Sequence, residues 1–234
     1  QLHDLDDGLL KDYDDSLKNF QKEHNLTIFH LMGQHVNYKQ RYRTKQARFW
    51  ASSYEDKRPE LTNAQRKMLS HYDNATLYND SIVAQIVKRF QKQDAIVIYV
   101  PDHGEECYEE NRGFICRNHS AEIDWPLAHY EFEIPFWIYC SPKYIRNHRD
   151  IYRQIRKAKD KRFMTDALPH LLLYLAGIET ATYKEEYNIL SPKYDEMRPR
   201  ILKNSADYDK LRDAHLEKIK KEESKKVKKK ERRN

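Results

Sequence analysis

Residues 95–105, Ala-Ile-Val-Ile-Tyr-Val-Pro-Asp-His-Gly-Glu, constrain this chain more than any other stretch. The apolar run reads as a buried strand of the parallel-sheet type, stopped by Pro101. Directly past its end stand Asp102 and His103, then Gly104 for a tight turn, then Glu105. In open α/β sheets, ligands bind in the crevice beyond the carboxyl ends of strands. A carboxylate beside an imidazole is a ligand pair suited to a divalent metal such as zinc. A lone Asp-His pair in a polar turn is ordinary, so the rest of the chain has to carry the inference.

A second segment of the same kind does so. Residues 26–32, Leu-Thr-Ile-Phe-His-Leu-Met, form another apolar run that reads as a strand, and Gly33-Gln34-His35 follows. Two strand ends thus supply His30, His35, Asp102 and His103, and His119 follows sixteen residues after His103 in a polar loop. Any single histidine is ordinarily a surface or satisfied core residue. A set gathered at strand ends with a carboxylate is a candidate site.

Four segments together resemble a known family, the phosphoethanolamine transferases of the sulfatase and alkaline-phosphatase superfamily. His30-Leu-Met-Gly-Gln-His35 is similar to their His-x-x-Gly-Ser-His segment, with Gln34 in place of Ser. Tyr72-Asp-Asn-Ala-Thr-Leu-Tyr-Asn-Asp80 resembles their Tyr-Asp-Asn helix start. Val100-Pro-Asp-His-Gly-Glu105 resembles their Ser-Asp-His-Gly-Glu metal segment, and Ile134-Pro-Phe-Trp-Ile-Tyr-Cys-Ser141 the strand that follows it.

The resemblance covers about Leu5 to Arg200 and implies an α/β, alkaline-phosphatase-like fold with a central, mostly parallel sheet covered by helices. It implies zinc or another divalent metal held by Asp102 and His103. His35 and His119 would serve a second metal or the substrate phosphate, with His30 as their neighbour. His119 would also be the candidate catalytic acid, and Glu105 would orient a ligand from behind or cap the turn. The implied reaction moves phosphoethanolamine from phosphatidylethanolamine to lipid A or another envelope glycan, at the periplasmic face of the bacterial inner membrane. A threonine nucleophile and a glutamate ligand would come from an N-terminal membrane and catalytic portion that nothing in this chain matches. A soluble sulfatase or phosphodiesterase of the same superfamily, or a metal-binding remnant without catalysis, stands as the alternative.

Hydrophobic residues make up 39% of the 234 and charged residues 34%, lean for a self-sufficient α/β core. No run of eighteen apolar residues is present, so no helical membrane span is expected. The formal charge of +6 is uneven: residues 210–234 hold twelve Lys or Arg against five Asp or Glu, while the other 209 residues carry 31 basic against 32 acidic. The expected division is a catalytic portion over 1–204 and a basic helical tail over 205–234. Such a tail is a solvated helix end or an element drawn to an anionic membrane. Without aromatic residues after Tyr208 it has nothing to stack on bases, so nucleic acid is not an expected partner. Cys107 and Cys116 bracket part of the site loop, and in an oxidising periplasm they are expected to form a disulfide. Cys140 reads as a small buried hydrophobe.

The pattern along the chain predicts helices over 4–22, 64–70 with Asn63 as cap, and from Asn74 or Asn79 to about Lys92. Residues 38–60 read as a loop whose Tyr38, Tyr42, Phe49, Trp50 and Tyr54 either line a cleft or pack inward. After the site loop 101–133 come a strand at 134–140, a basic helix from Tyr144 to Lys157, and an apolar helix from Leu168 to Ala176, capped by Thr165 and stopped by Gly177.

Overall fold

A computed structural model describes residues 3–17, 24–118 and 122–231. The elements in chain order are α1 (Asp7–Ser16), α2 (Asn63–Phe90), β1 (Ile96–Tyr99), β2 (Glu106–Cys107), β3 (Ile115–Cys116), α3 (Trp125–Phe132), β4 (Trp137–Cys140), α4 (Pro142–Asn147), α5 (Arg149–Ala158), α6 (Leu168–Leu175), β5 (Ile201–Leu202), β6 (Ala206–Asp207) and α7 (Tyr208–Glu231). They fall into two compact units, one of residues 1–93 and 106–116, the other of residues 94–105 and 117–234.

In the first unit α2 is one helix of 28 residues where the sequence predicts two. Its start is set by Thr62, whose hydroxyl accepts from Gln65 N while the Gln65 side chain accepts from Thr62 N, a reciprocal capping box. Asn74 and Asn79, expected as caps, are buried inside the helix. Asn74 has a different task. Its Oδ1 accepts from Arg48 N (2.6 Å) and Phe49 N (3.1 Å), and its Nδ2 donates to Phe49 O (2.8 Å). A buried amide with these bonds made staples the 47–50 backbone to the helix. Asp73 accepts the Tyr54 hydroxyl in the same manner.

The loop of residues 38–60 is therefore packed. Tyr38, Tyr42 and Tyr54 are all buried along α2, with Tyr38 edge-on to Tyr72 at 5.2 Å. Tyr54, Leu61, Leu69, Cys107 and Tyr108 form the unit's core cluster. Residues 26–32 are not a strand. No described strand pairs with them, and Leu26 and Ile28 are exposed, so the run lacks the partner that would bury it. Phe29 turns in, edge-on to Tyr13, and Leu31 is half-buried. The first helix is shorter than expected, and residues 18–22 of the predicted span lie outside the described residues.

In the second unit β1 pairs with β4 in register, Ile96 to Cys140 and Tyr99 to Trp137. The pairing is antiparallel, and all three ladders among the described residues are antiparallel pairs. The parallel pairing expected of the sheet is not among the ladders of the described residues. The fully buried Ser141 closes the far end. Its N–H donates to Ala95 O at 3.0 Å and its Oγ caps α4 through Tyr144 N at 3.0 Å. The basic helix is split by His148, whose backbone leaves the helical region between α4 and α5. The apolar helix α6 ends as expected. Gly177 takes φ +65°, with Ile178 N donating to Leu173 O and Gly177 N to Tyr174 O, a Schellman closure that needs a left-handed residue. Thr165, the expected cap, lies instead in a 3-10 turn over Thr165–Ala167.

The basic helix α7 is rooted in this unit. Tyr208 is buried with Ala128 and Leu202, its hydroxyl donates to Glu133, and burial followed by that bond pushes its pKa up to about 12. Asp209 is gripped by Arg200 Nη2 at 2.6 Å and by Arg162. From Leu216 to Lys226 the side chains are exposed. No helix among the described residues is long and apolar enough to cross a membrane.

Cys107 and Cys116 sit in the ladder of β2 and β3, where Cys107 faces Ile115 and Cys116 faces Glu106. Side chains alternate along a strand, so the two sulfurs leave opposite faces of the ladder. All three cysteines are free, and the expected disulfide is not formed. Thiol titration of the denatured, non-reduced chain is expected to count three; a count of one would restore the bridge.

Candidate metal centre

Asp102 and His103 occupy the turn immediately after β1, in the second unit. The Asp102 carboxylate is 86% exposed, whereas the His103 ring is only 20% exposed and is held from several sides. His103 Nδ1 lies 2.8 Å from Gly104 O, so Nδ1 carries the proton and donates to that carbonyl. This tautomer makes Nε2 the acceptor of the ring. Nε2 lies 3.5 Å from Asp102 Oδ2, and the Arg117 guanidinium donates to it. The imidazole nitrogen suited to a cation thus points at the carboxylate oxygen and already has a cationic group against it.

This donor set fits zinc as two of its ligands: a carboxylate oxygen, and a neutral imidazole whose other nitrogen is locked by a carbonyl, the usual outer bond of a metal-ligating histidine. Among the described residues no group of three His, Cys, Asp or Glu side chains comes together to hold a metal.

Helix α3 supports the turn. Its C-terminal carbonyls lack intrahelical partners, and Gly104 N donates to one of them, Glu131 O, at 2.8 Å. The Glu131 side chain is 2% exposed, and its Oε1 accepts from Asn118 N at 2.6 Å. One residue therefore ties down both the Asp-His-Gly turn and the segment carrying Arg117. Neither Arg117 nor Glu131 is expected from the sequence. Their contacts span fourteen and thirteen residues with no repeating spacing to mark them.

His30 and His35 are exposed and belong to the first unit. The turn between them is shaped by Asp6, a buried carboxylate that accepts from Met32 N (3.0 Å) and Gly33 N (2.9 Å). Gly33 takes φ +53°, a conformation costly to other residues. Arg41 Nε donates to His35 O at 3.2 Å. Glu105 is half-buried just before β2, and His119 lies outside the described residues. The structure thus brings together Asp102 and His103, adds Arg117, and places His30 and His35 in a separate unit.

The chain belongs to the sulfatase family, whose sequence profile matches residues 2–178. Its fold class is accordingly α/β of the alkaline-phosphatase-like, sulfatase type. It is similar to phosphoethanolamine transferase EptC of Escherichia coli K12, 32% identical over 197 residues, which cover 80% of this chain and 32% of that protein. It is also similar to Kdo(2)-lipid A phosphoethanolamine 7''-transferase of the same strain, 32% identical over 160 residues, 67% of this chain and 27% of that protein. The crystal structure of the C-terminal periplasmic domain of E. coli EptC in complex with Zn superposes with a TM-score of 0.72 at 28% identity, over 88% of this chain and 57% of that one. The chain spans about a third of the length of these curated relatives.

Proposed function

We propose that this chain carries part of the metal and phosphate site of a phosphoethanolamine transferase, with phosphatidylethanolamine as donor and lipid A or a related envelope glycan as acceptor, at the periplasmic face of the inner membrane. The observation that carries this reading is the locked His103 tautomer, with Nε2 presented to Asp102 directly after a strand of a sulfatase-family chain. The names of the relatives and the zinc in the matching structure support it.

Asp102 and His103 would hold zinc. Such a cation, when bound, supplies a Lewis acid for a phosphoryl oxygen. Arg117 adds a positive charge beside the imidazole, where it can pair with a phosphate oxygen. His35 and His119 are assigned to the substrate phosphate or a second metal, with His30 as a further candidate, and His119 to protonation of the leaving oxygen. Glu105 is assigned to orienting a ligand from behind.

Metal analysis of the purified chain, after zinc loading and desalting at neutral pH, tests the centre. Wild type is expected to retain zinc, and Asp102→Ala with His103→Ala to lose it while keeping the same circular dichroism. Equal zinc in the two proteins would remove the assignment.

A further inference from the structure

The packed loop over α2 has a second face. Residues 36–50 hold Lys39, Arg41, Arg43, Lys45 and Arg48 and no acidic residue. The structure sorts them. Tyr38 and Tyr42 turn into the helix at 3% and 8% exposure, while Lys39, Lys45 and Arg48 between and after them are exposed. Lys67 of α2 is exposed too, and Lys39 and Lys67 both lie near enough to His71 to reinforce the lowering of its pKa that burial begins. Arg43 is paired with Asp7; Lys39, Lys45, Arg48 and Lys67 have no carboxylate partner among the described residues. Four exposed cations without a carboxylate partner, three of them within one loop of ten residues, favour an anionic partner.

We propose that this face is a docking surface for an anionic phospholipid bilayer, a property that goes beyond the transfer reaction. Single-stranded nucleic acid would need aromatic rings as stacking platforms between the charges. Tyr38, Tyr42 and the half-buried Phe49 are committed inward, so those platforms are gone. The aromatic residue left outward is Trp50, 58% exposed at the start of a 3-10 turn, its N–H fixed to Ser53 Oγ at 3.1 Å. One outward indole in the same loop as long, flexible cationic side chains fits the lipid–water boundary, where indole rings settle and basic stems lie along the apolar side.

The test is sedimentation of the full chain with phosphatidylglycerol–phosphatidylcholine vesicles, without zinc or donor lipid, so that it stands apart from the transferase reading. The loop variant Lys39→Gln/Lys45→Gln/Arg48→Gln changes only exposed side chains without acidic partners, and an unchanged thermal midpoint checks its fold. Its partition onto anionic vesicles is expected to fall about 100-fold, the product of three basic residues near a charged surface. A tail variant, with Lys225, Lys226, Lys228 and Lys229 changed to Gln, is expected to keep most of its binding, because those residues lie outside the proposed face and do not come near the lipid. Trp50→Ser is expected to weaken binding while preserving its salt dependence. Unchanged binding by the loop variant, loss in the tail variant alone, or equal binding to pure phosphatidylcholine overturns the proposal. Binding of an oligonucleotide as tight as that of the vesicles at the same salt makes the face a general polyanion site and overturns the lipid assignment.

Discussion

Gly104→Ala is expected to destabilise the second unit by about 3 kcal/mol and to empty the zinc centre, because the turn and helix α3 meet backbone to backbone. A Cβ at Gly104 would stand 2.3 Å from Tyr130 O and 3.3 Å from Tyr130 C, against main-chain atoms that cannot rotate away. Relief requires the turn to lift off the helix. That movement breaks the bond from Gly104 N to Glu131 O and shifts the carbonyl that holds the Nδ1 proton of His103. Both losses reach Asp102 and His103, the proposed metal ligands. Gly113→Ala is the control: its φ of +69° makes alanine strained, yet nothing lies within 4 Å of the new methyl. It should cost about 1 kcal/mol and leave zinc binding intact. Urea denaturation and zinc content, measured on both variants, check the pair. Equal effects would mean that close packing at Gly104 has no part in the site.

The parts of this architecture that follow from local chemistry are legible in the sequence. The strand before Asp102, the left-handed stop at Gly177 and the apolar helix before it each rest on a few neighbouring residues. The pairing of Asp102 with His103 is legible for the same reason. Long-range hydrogen bonds are not. Asn74 looks like a cap because Asn caps helices, yet here its amide serves a loop some 25 residues away, and the helix runs through it. The tyrosines of residues 38–54 leave two readings open. Burial alone separates them, since their spacing has no period. Residues 26–32 have a strand's composition, but a strand requires a partner, and composition does not say whether one lies alongside. Arg117 and Glu131 escape for the reason that Asn74 misleads: each acts across a loop, on a backbone or ring that the chain delivers from elsewhere.

Glu131 offers the sharper test of how the centre is held. It is a buried carboxylate that accepts from a backbone N–H, that of Asn118, and its own carbonyl receives Gly104. Glu131→Ala leaves the Asn118 N–H without its acceptor and opens a cavity at the end of α3. Together these should cost about 2–4 kcal/mol. With the end of α3 loosened, the Glu131 carbonyl that receives Gly104 N loses its place, and zinc affinity should fall about 10- to 100-fold, the range seen when outer support of a metal ligand is removed. Glu131→Gln separates the possible roles. The amide oxygen can accept the same bond from Asn118 N, so this variant should recover most of the stability and bring zinc affinity to within a few-fold of wild type. If Glu131 instead reached the metal as a ligand, Gln would bind zinc as poorly as Ala while remaining stable to urea. Competition with a chromophoric chelator, run beside urea denaturation on both variants, distinguishes a residue that positions the ligands from one that is a ligand.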